Sequence, residues 1–250
     1  SGTGPSEQVS VFCLDIKSSN ESQTSLAKNT IKRLKTIRHP NIVTFIDSLE
    51  TDKVIYLVTE SVVPLQKYLD EKKFTKEQKL SAASWGIYQT TNAIKFLSGE
   101  AGIVHNNVCS RSVFVTPSGE WKLGGLEYLI NTNDPSTLHP PAKLYDLEKY
   151  TAPEMKSGSP PRGECWPPDM FGLACLIWEV FNGTLPNAAA LRAPKQVPKT
   201  LHTAYAPLIS QNPNKRLSPE DFLKECRKSP SGFMRNKFVD TLLFLEEFQL

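Results

Sequence analysis

The chain is 250 residues long, 39% hydrophobic and 22% charged, with a formal net charge of +3 at pH 7. That length suits one large domain or two lobes around a sizeable core, four Trp, seven Tyr and twelve Phe exclude a disordered chain, and no apolar run approaches the roughly 20 residues of a membrane-spanning helix. So mild a charge falls short of a dedicated nucleic-acid domain, and five cysteines (Cys13, Cys109, Cys165, Cys175, Cys226) without a Cys-x-x-Cys pair predict buried thiols in a reducing compartment, not a disulfide framework.

Residues 9–14 and 53–59 are short β-branched, apolar runs and predict strands. Between them residues 25–37 predict a helix, with Ala27, Ile31 and Leu34 as its apolar stripe. Lys28, Lys32 and Lys35 gather on an adjacent face with Arg38 nearby, which is either a solvated face or a candidate anion-binding surface. This block ends near Val63-Pro64, and mostly helical sequence follows. Residues 76–97 keep a helical period through Leu80, Ala83, Ile87, Thr91 and Ile94. Residues 113–115 and 120–123 flank the turn Pro117-Ser118-Gly119 and predict a hairpin. Residues 131–141 carry three prolines and predict a loop.

Residues 169–181 are apolar nearly all round, opened by Pro167-Pro168 and closed by Gly183, which predicts a buried central helix. Ser218 as N-cap, Pro219 at the first helical position and the acids Glu220 and Asp221 start a further helix with Phe222, Leu223 and Cys226 on its apolar face. In residues 238–250, Phe238, Leu242 and Leu245 form one stripe and Val239, Leu243 and Phe248 a second, more apolar surface than docking on one lobe requires. Both ends read as cuts through a longer protein.

In this order the elements resemble the protein kinase fold, and landmark strings carry the resemblance. His39-Pro40-Asn41-Ile42-Val43 resembles the segment after the kinase C helix, and residues 55–60 resemble the strand entering the hinge, with Thr59 as gatekeeper. Residues 104–114 resemble the catalytic loop, residues 122–127 lie where Asp-Phe-Gly is expected, and Ala152-Pro153-Glu154 matches Ala-Pro-Glu. The resemblance implies an α+β, two-lobed kinase-like fold, with a partial N-lobe over residues 1–63 whose first strands are truncated or absent, a C-lobe over residues 64–230 and an extension over residues 231–250. Gly2 and Gly4 are a weak echo of the glycine-rich loop.

The same resemblance assigns positions. Phe12 stands at the phosphate-binding lysine, Thr30 at the C-helix glutamate, Asn107 at the catalytic base, and Ser112 and Gly125 at the two metal ligands. Glu154, Asp169 and Arg216 keep the residues that support the fold. Phosphoryl transfer depends on placed charge. A neutral ring cannot pair with phosphate, and an amide cannot accept a proton, which removes a rate term of typically ~10²–10⁴. No catalytic, cofactor-binding or metal-binding role is therefore expected. Among substitute groups, Asp15, Lys17 and Lys122 are unconvincing; Lys17 lies about 16 Å past Phe12 along an extended strand. Glu127 would serve only if it turned inward as a metal ligand. His105 is expected to pack and hydrogen-bond.

Residues 104–109, 120–126, 175–183 and 232–238 together resemble the Scy-like family of pseudokinases, also called N-terminal kinase-like proteins. That resemblance implies an inactive domain preceding a HEAT-repeat solenoid. It also implies a scaffold role in vesicle traffic around the Golgi and in nuclear tRNA export, with coat or export factors as protein partners and tRNA as a candidate partner. The implied location is cytoplasmic, Golgi-associated or at the nuclear pore. Two other readings stand beside it: a divergent ATP-binding kinase of weak activity, and a tRNA-binding module using Lys28, Lys32, Lys35 and Arg38.

Overall fold

Three strands and one helix make the first part of the computed structural model, which describes residues 8–99, 101–157, 163–228 and 232–247. Strands β1 (Val9–Asp15), β2 (Phe45–Glu50) and β3 (Val54–Glu60) form an antiparallel sheet in the order β1-β3-β2. In β1, Phe12 and Leu14 pair with Leu57 and Ile55 and share the inner face, while Val11 and Cys13 pair with Val58 and Tyr56 on the outer face. Helix α1 (Glu21–Thr36) covers the inner face, burying Leu26 and Leu34. It starts four residues earlier than the apolar stripe suggests because Asn20 and Gln23 form a reciprocal capping box, at 2.8 and 3.0 Å. Strand β2 escapes sequence patterning: it is largely exposed, and a bulge between Phe45 and Asp47 breaks its alternation.

After the short strand β4 (Val63–Pro64) the chain turns helical with α2 (Leu65–Glu71) and α3 (Lys76–Gly99). In α3, Ala83, Ile87, Thr91 and Ile94 are buried as their spacing predicts, but Leu80 is 37% exposed, since the first turns of the helix overhang the body. Strand β5 (Ile103–Val104) leads into the loop that matters most below. The hairpin β6 (Val113–Val115) and β7 (Trp121–Leu123) pairs antiparallel around Gly119, whose φ of +90° favours glycine. Strand β8 (Ile130–Asn131) pairs with β5, so the expected loop begins on a strand, and the Thr137 hydroxyl accepts from the Asn131 N–H at 2.8 Å.

The larger part is completed by α4 (Pro153–Lys156), α5 (Pro167–Asn182), α6 (His202–Leu208), α7 (Pro219–Cys226) and α8 (Lys237–Glu247). Helix α5 is buried along nearly its whole length, as an all-round apolar sequence requires. Ser218 caps α7, its hydroxyl accepting from the Asp221 N–H at 3.1 Å. The two stripes read for α8 do not act alike. Val239 is buried, and Leu242 and Leu243 pack against the core, whereas Phe238 and Leu245 stay 46% and 49% exposed. Phe248, Gly2 and Gly4 lie outside the described residues. No helix among the described residues is long and apolar enough to cross a membrane.

Candidate functional site: the cleft between sheet and helical body

The residues 105–112 that follow β5 are fixed by α5. The Asp169 carboxylate accepts from the N–H groups of His105 and Asn106 at 2.7 and 2.8 Å, holding Asn106 at φ +63°. Burial pushes the Asp169 carboxyl up to about 7, against the two N–H donors that favour its charge. The His105 ring spans to the next segment, with Nε2 at 2.7 Å from the Gly124 carbonyl. Burial drives the ring down to about 4, so at neutral pH it is uncharged, with Nε2–H donating to Gly124 and Nδ1 accepting from the Asn107 N–H. His105 thus packs and bonds as expected. Beneath the cleft, Arg216 is fully buried and grips Glu154 with two parallel bonds of 2.6 and 2.8 Å.

Each position assigned to lost chemistry is filled by something else. The Phe12 ring meets Phe114 edge to face, centroids 5.6 Å apart, and no lysine lines the cleft there among the described residues. The Thr30 hydroxyl is shared between Glu127 Oε2 and the Leu26 carbonyl, each at 3.1 Å, and Asn107 donates its amide to Glu127 Oε1 at 3.3 Å. Glu127 therefore does turn inward, but as a clasp between α1 and the loop. Burial raises its carboxyl above the ordinary range. The Ser112 hydroxyl is used within its own turn, donating to the Cys109 carbonyl at 2.9 Å and accepting from the Cys109 N–H at 3.1 Å. No group of three or more His, Cys, Asp or Glu side chains suited to a metal occurs among the described residues.

Gly125 has φ +67°, and a Cβ there would lie 2.7 Å from the Ser112 Cβ and 3.2 Å from the Asn107 amide nitrogen. Introducing a carboxylate by Gly125→Asp is therefore expected to lower stability by about 1–3 kcal/mol, through overpacking. It is also expected to leave phosphoryl transfer at background. Urea denaturation and a labelled-ATP assay on the same preparation check both halves.

The cleft between sheet and body encloses about 270 Å³, lined chiefly by Phe12, Ile31, Leu34, Ile55, Leu57 and Phe114, with the buried Thr59 and with Glu127. Arg111 reaches its edge but is ion-paired with Asp146. The other substitute groups stay away. Asp15 accepts from the Lys17 N–H at 2.9 Å in the turn after β1, and Lys122 bonds the Pro40 carbonyl at 2.6 Å and lies 3.5 Å from Glu60. Sequence reasoning missed Lys143. Its ammonium is buried without a hydrogen-bond partner among the described residues and burial lowers it to about 8, while Asp169 and Glu127 favour its charge. A lysine just past a proline-rich loop gives no signal of that placement.

On α1 the basic face is largely committed. Lys28 is ion-paired with Glu50, Lys35 lies over the Phe45 ring at 5.4 Å, and just past the helix Arg38 donates to the Phe45 carbonyl at 3.4 Å, while Lys32, Lys35 and Arg38 are all exposed.

Residues 5–228 match the family described as protein kinase domain. The chain is 36% identical over 247 residues to the probable inactive serine/threonine-protein kinase scy1 of Dictyostelium discoideum, covering 97% of the chain and 29% of that protein. It is 32% identical over 248 residues to the mouse protein-associating with the carboxyl-terminal domain of ezrin, covering 94% and 30%. To the protein kinase-like protein SCY1 of Saccharomyces cerevisiae it is 28% identical over 177 residues, covering 63% and 22%. The chain spans less than a third of the length of these relatives. By fold and match it belongs to the protein kinase family, and within it to the Scy1-like branch.

Proposed function

We propose that this domain transfers no phosphoryl group and acts as a protein-binding scaffold. The observation that carries the reading is the centre of the cleft: an aromatic ring where a cation must hold phosphate, and beside it the Glu127 carboxylate clasped by Thr30 and Asn107. Phosphoryl transfer needs positive charge around the nucleotide phosphates. Here a nearby acid opposes them. The description of the Dictyostelium relative as probable inactive supports the same reading, and the mouse relative's name supports a protein partner.

The resemblance to the Scy1-like branch adds the setting. We assign the whole protein to coat-associated traffic between Golgi and endoplasmic reticulum and to nuclear tRNA export, in the cytoplasm, with a HEAT-repeat region outside the present chain. Direct tRNA contact through α1 is the weaker reading, because Lys28, Lys35 and Arg38 already have partners within the chain. The test of the central point is incubation with γ-labelled ATP, Mg²⁺ and a generic acceptor protein. Label on neither the chain nor the acceptor is expected, and transfer abolished by Glu127→Gln would show a divergent active kinase instead.

A further inference from the structure

We infer that the cleft is a binding site for a compact apolar molecule carrying one protonated amine, with Glu127 as its counter-ion. The inference rests on the reading that no nucleotide occupies the cleft, and it names what the cleft takes instead. Its walls are apolar and aromatic over most of the lining, and about 270 Å³ admits only a small ring system.

One acid faces that volume. Glu127 is part-buried, its two side-chain donors are the neutral groups of Thr30 and Asn107 at 3.1 and 3.3 Å, and among the described residues it forms no salt bridge. Lys143 forms no salt bridge with it, although its ammonium favours the Glu127 charge from further off, and Arg111 is committed to Asp146. A carboxylate withdrawn from water, bonded by neutral side-chain donors and without a cation in direct contact among the described residues, is only partly compensated, so a cation that reaches it gains more than it would in solvent. The Thr59 hydroxyl is spent on the Glu60 carbonyl at 2.9 Å, which leaves Glu127 as the polar anchor. The Phe12 and Phe114 rings add attraction for the same charge sign. Phosphates are disfavoured by the charge that favours amines.

The experiment compares 2-naphthylmethylamine with 2-naphthylmethanol, the same body without the charge, by calorimetric titration and thermal shift. The unaltered chain, Glu127→Gln and Ile31→Phe are tested in parallel, Ile31→Phe filling the cavity without touching the anchor. The amine should bind roughly tenfold tighter than the alcohol to the unaltered chain, the worth of one charged hydrogen bond. Glu127→Gln should close that gap, and Ile31→Phe should weaken both probes. Equal affinity for the alcohol, no binding of either probe, or amine binding indifferent to Ile31→Phe would overturn the inference. ATP with Mg²⁺ is run beside them: stabilisation by nucleotide overturns the reading that no nucleotide occupies the cleft and this inference with it, whereas silent probes with silent ATP overturn only this site.

Discussion

Arg216→Met is expected to destabilise the domain by about 3–5 kcal/mol, the loss typical of breaking a buried ion pair on one side only. The guanidinium is fully buried. Besides its two bonds to Glu154 it donates to the Pro167 carbonyl at 2.8 Å and twice to the Ser210 carbonyl at 2.9 and 3.0 Å. Methionine replaces the length and none of the donors, so a mostly buried carboxylate and two carbonyls lose their partner together. Urea denaturation measures it. Pairing the change with Glu154→Gln should recover part of the loss, because the stranded charge is then gone. A single-variant loss under about 1 kcal/mol would mean that the pair behaves as a surface salt bridge.

Gly86→Ala should cost about 3 kcal/mol or more, although alanine in a helix normally gains about 1 kcal/mol over glycine. The reason is position. A Cβ on Gly86 would lie 1.9 Å from Cδ2 of Trp121, whose ring is fully buried and fixed on β7 between α3 and the sheet. Neither backbone can withdraw without opening the hairpin against α3. Thermal denaturation of Gly86→Ala, and of Gly86→Ala with Trp121→Leu, separates overpacking from propensity. The double variant should be less unstable than the two single costs summed.

How much of this was legible in the sequence depends on which signal each element carries. Strands β1 and β3 and helices α3, α5 and α7 announce themselves by apolar period and by caps such as Ser218, and the structure follows them. Strand β2 is largely exposed and bulged, so no alternation marks it. Of the site, Phe12, Thr30 and Gly125 line the cleft, while Asn107 and Ser112 are buried behind it, Asn107 bonded to Glu127. The clasp at Glu127 joins residues 97 and 20 positions apart, and such pairings depend on packing that spacing does not encode. Lys143 was hidden for the same reason: its burial comes from the body it folds onto, not from its neighbours in sequence.

The account stands most directly on whether Mg²⁺-ATP binds. A thermal-shift titration of the unaltered chain, with ATP alone and with Mg²⁺, should leave the melting temperature unchanged to millimolar nucleotide. Saturation at ~100 times Kd would stabilise by about 2.7 kcal/mol, roughly 5–10 °C for a domain of this size. A saturable rise of that order requiring Mg²⁺ would contradict the proposal that a cleft faced by the Phe12 ring and the inward-turned Glu127 carboxylate takes no nucleotide.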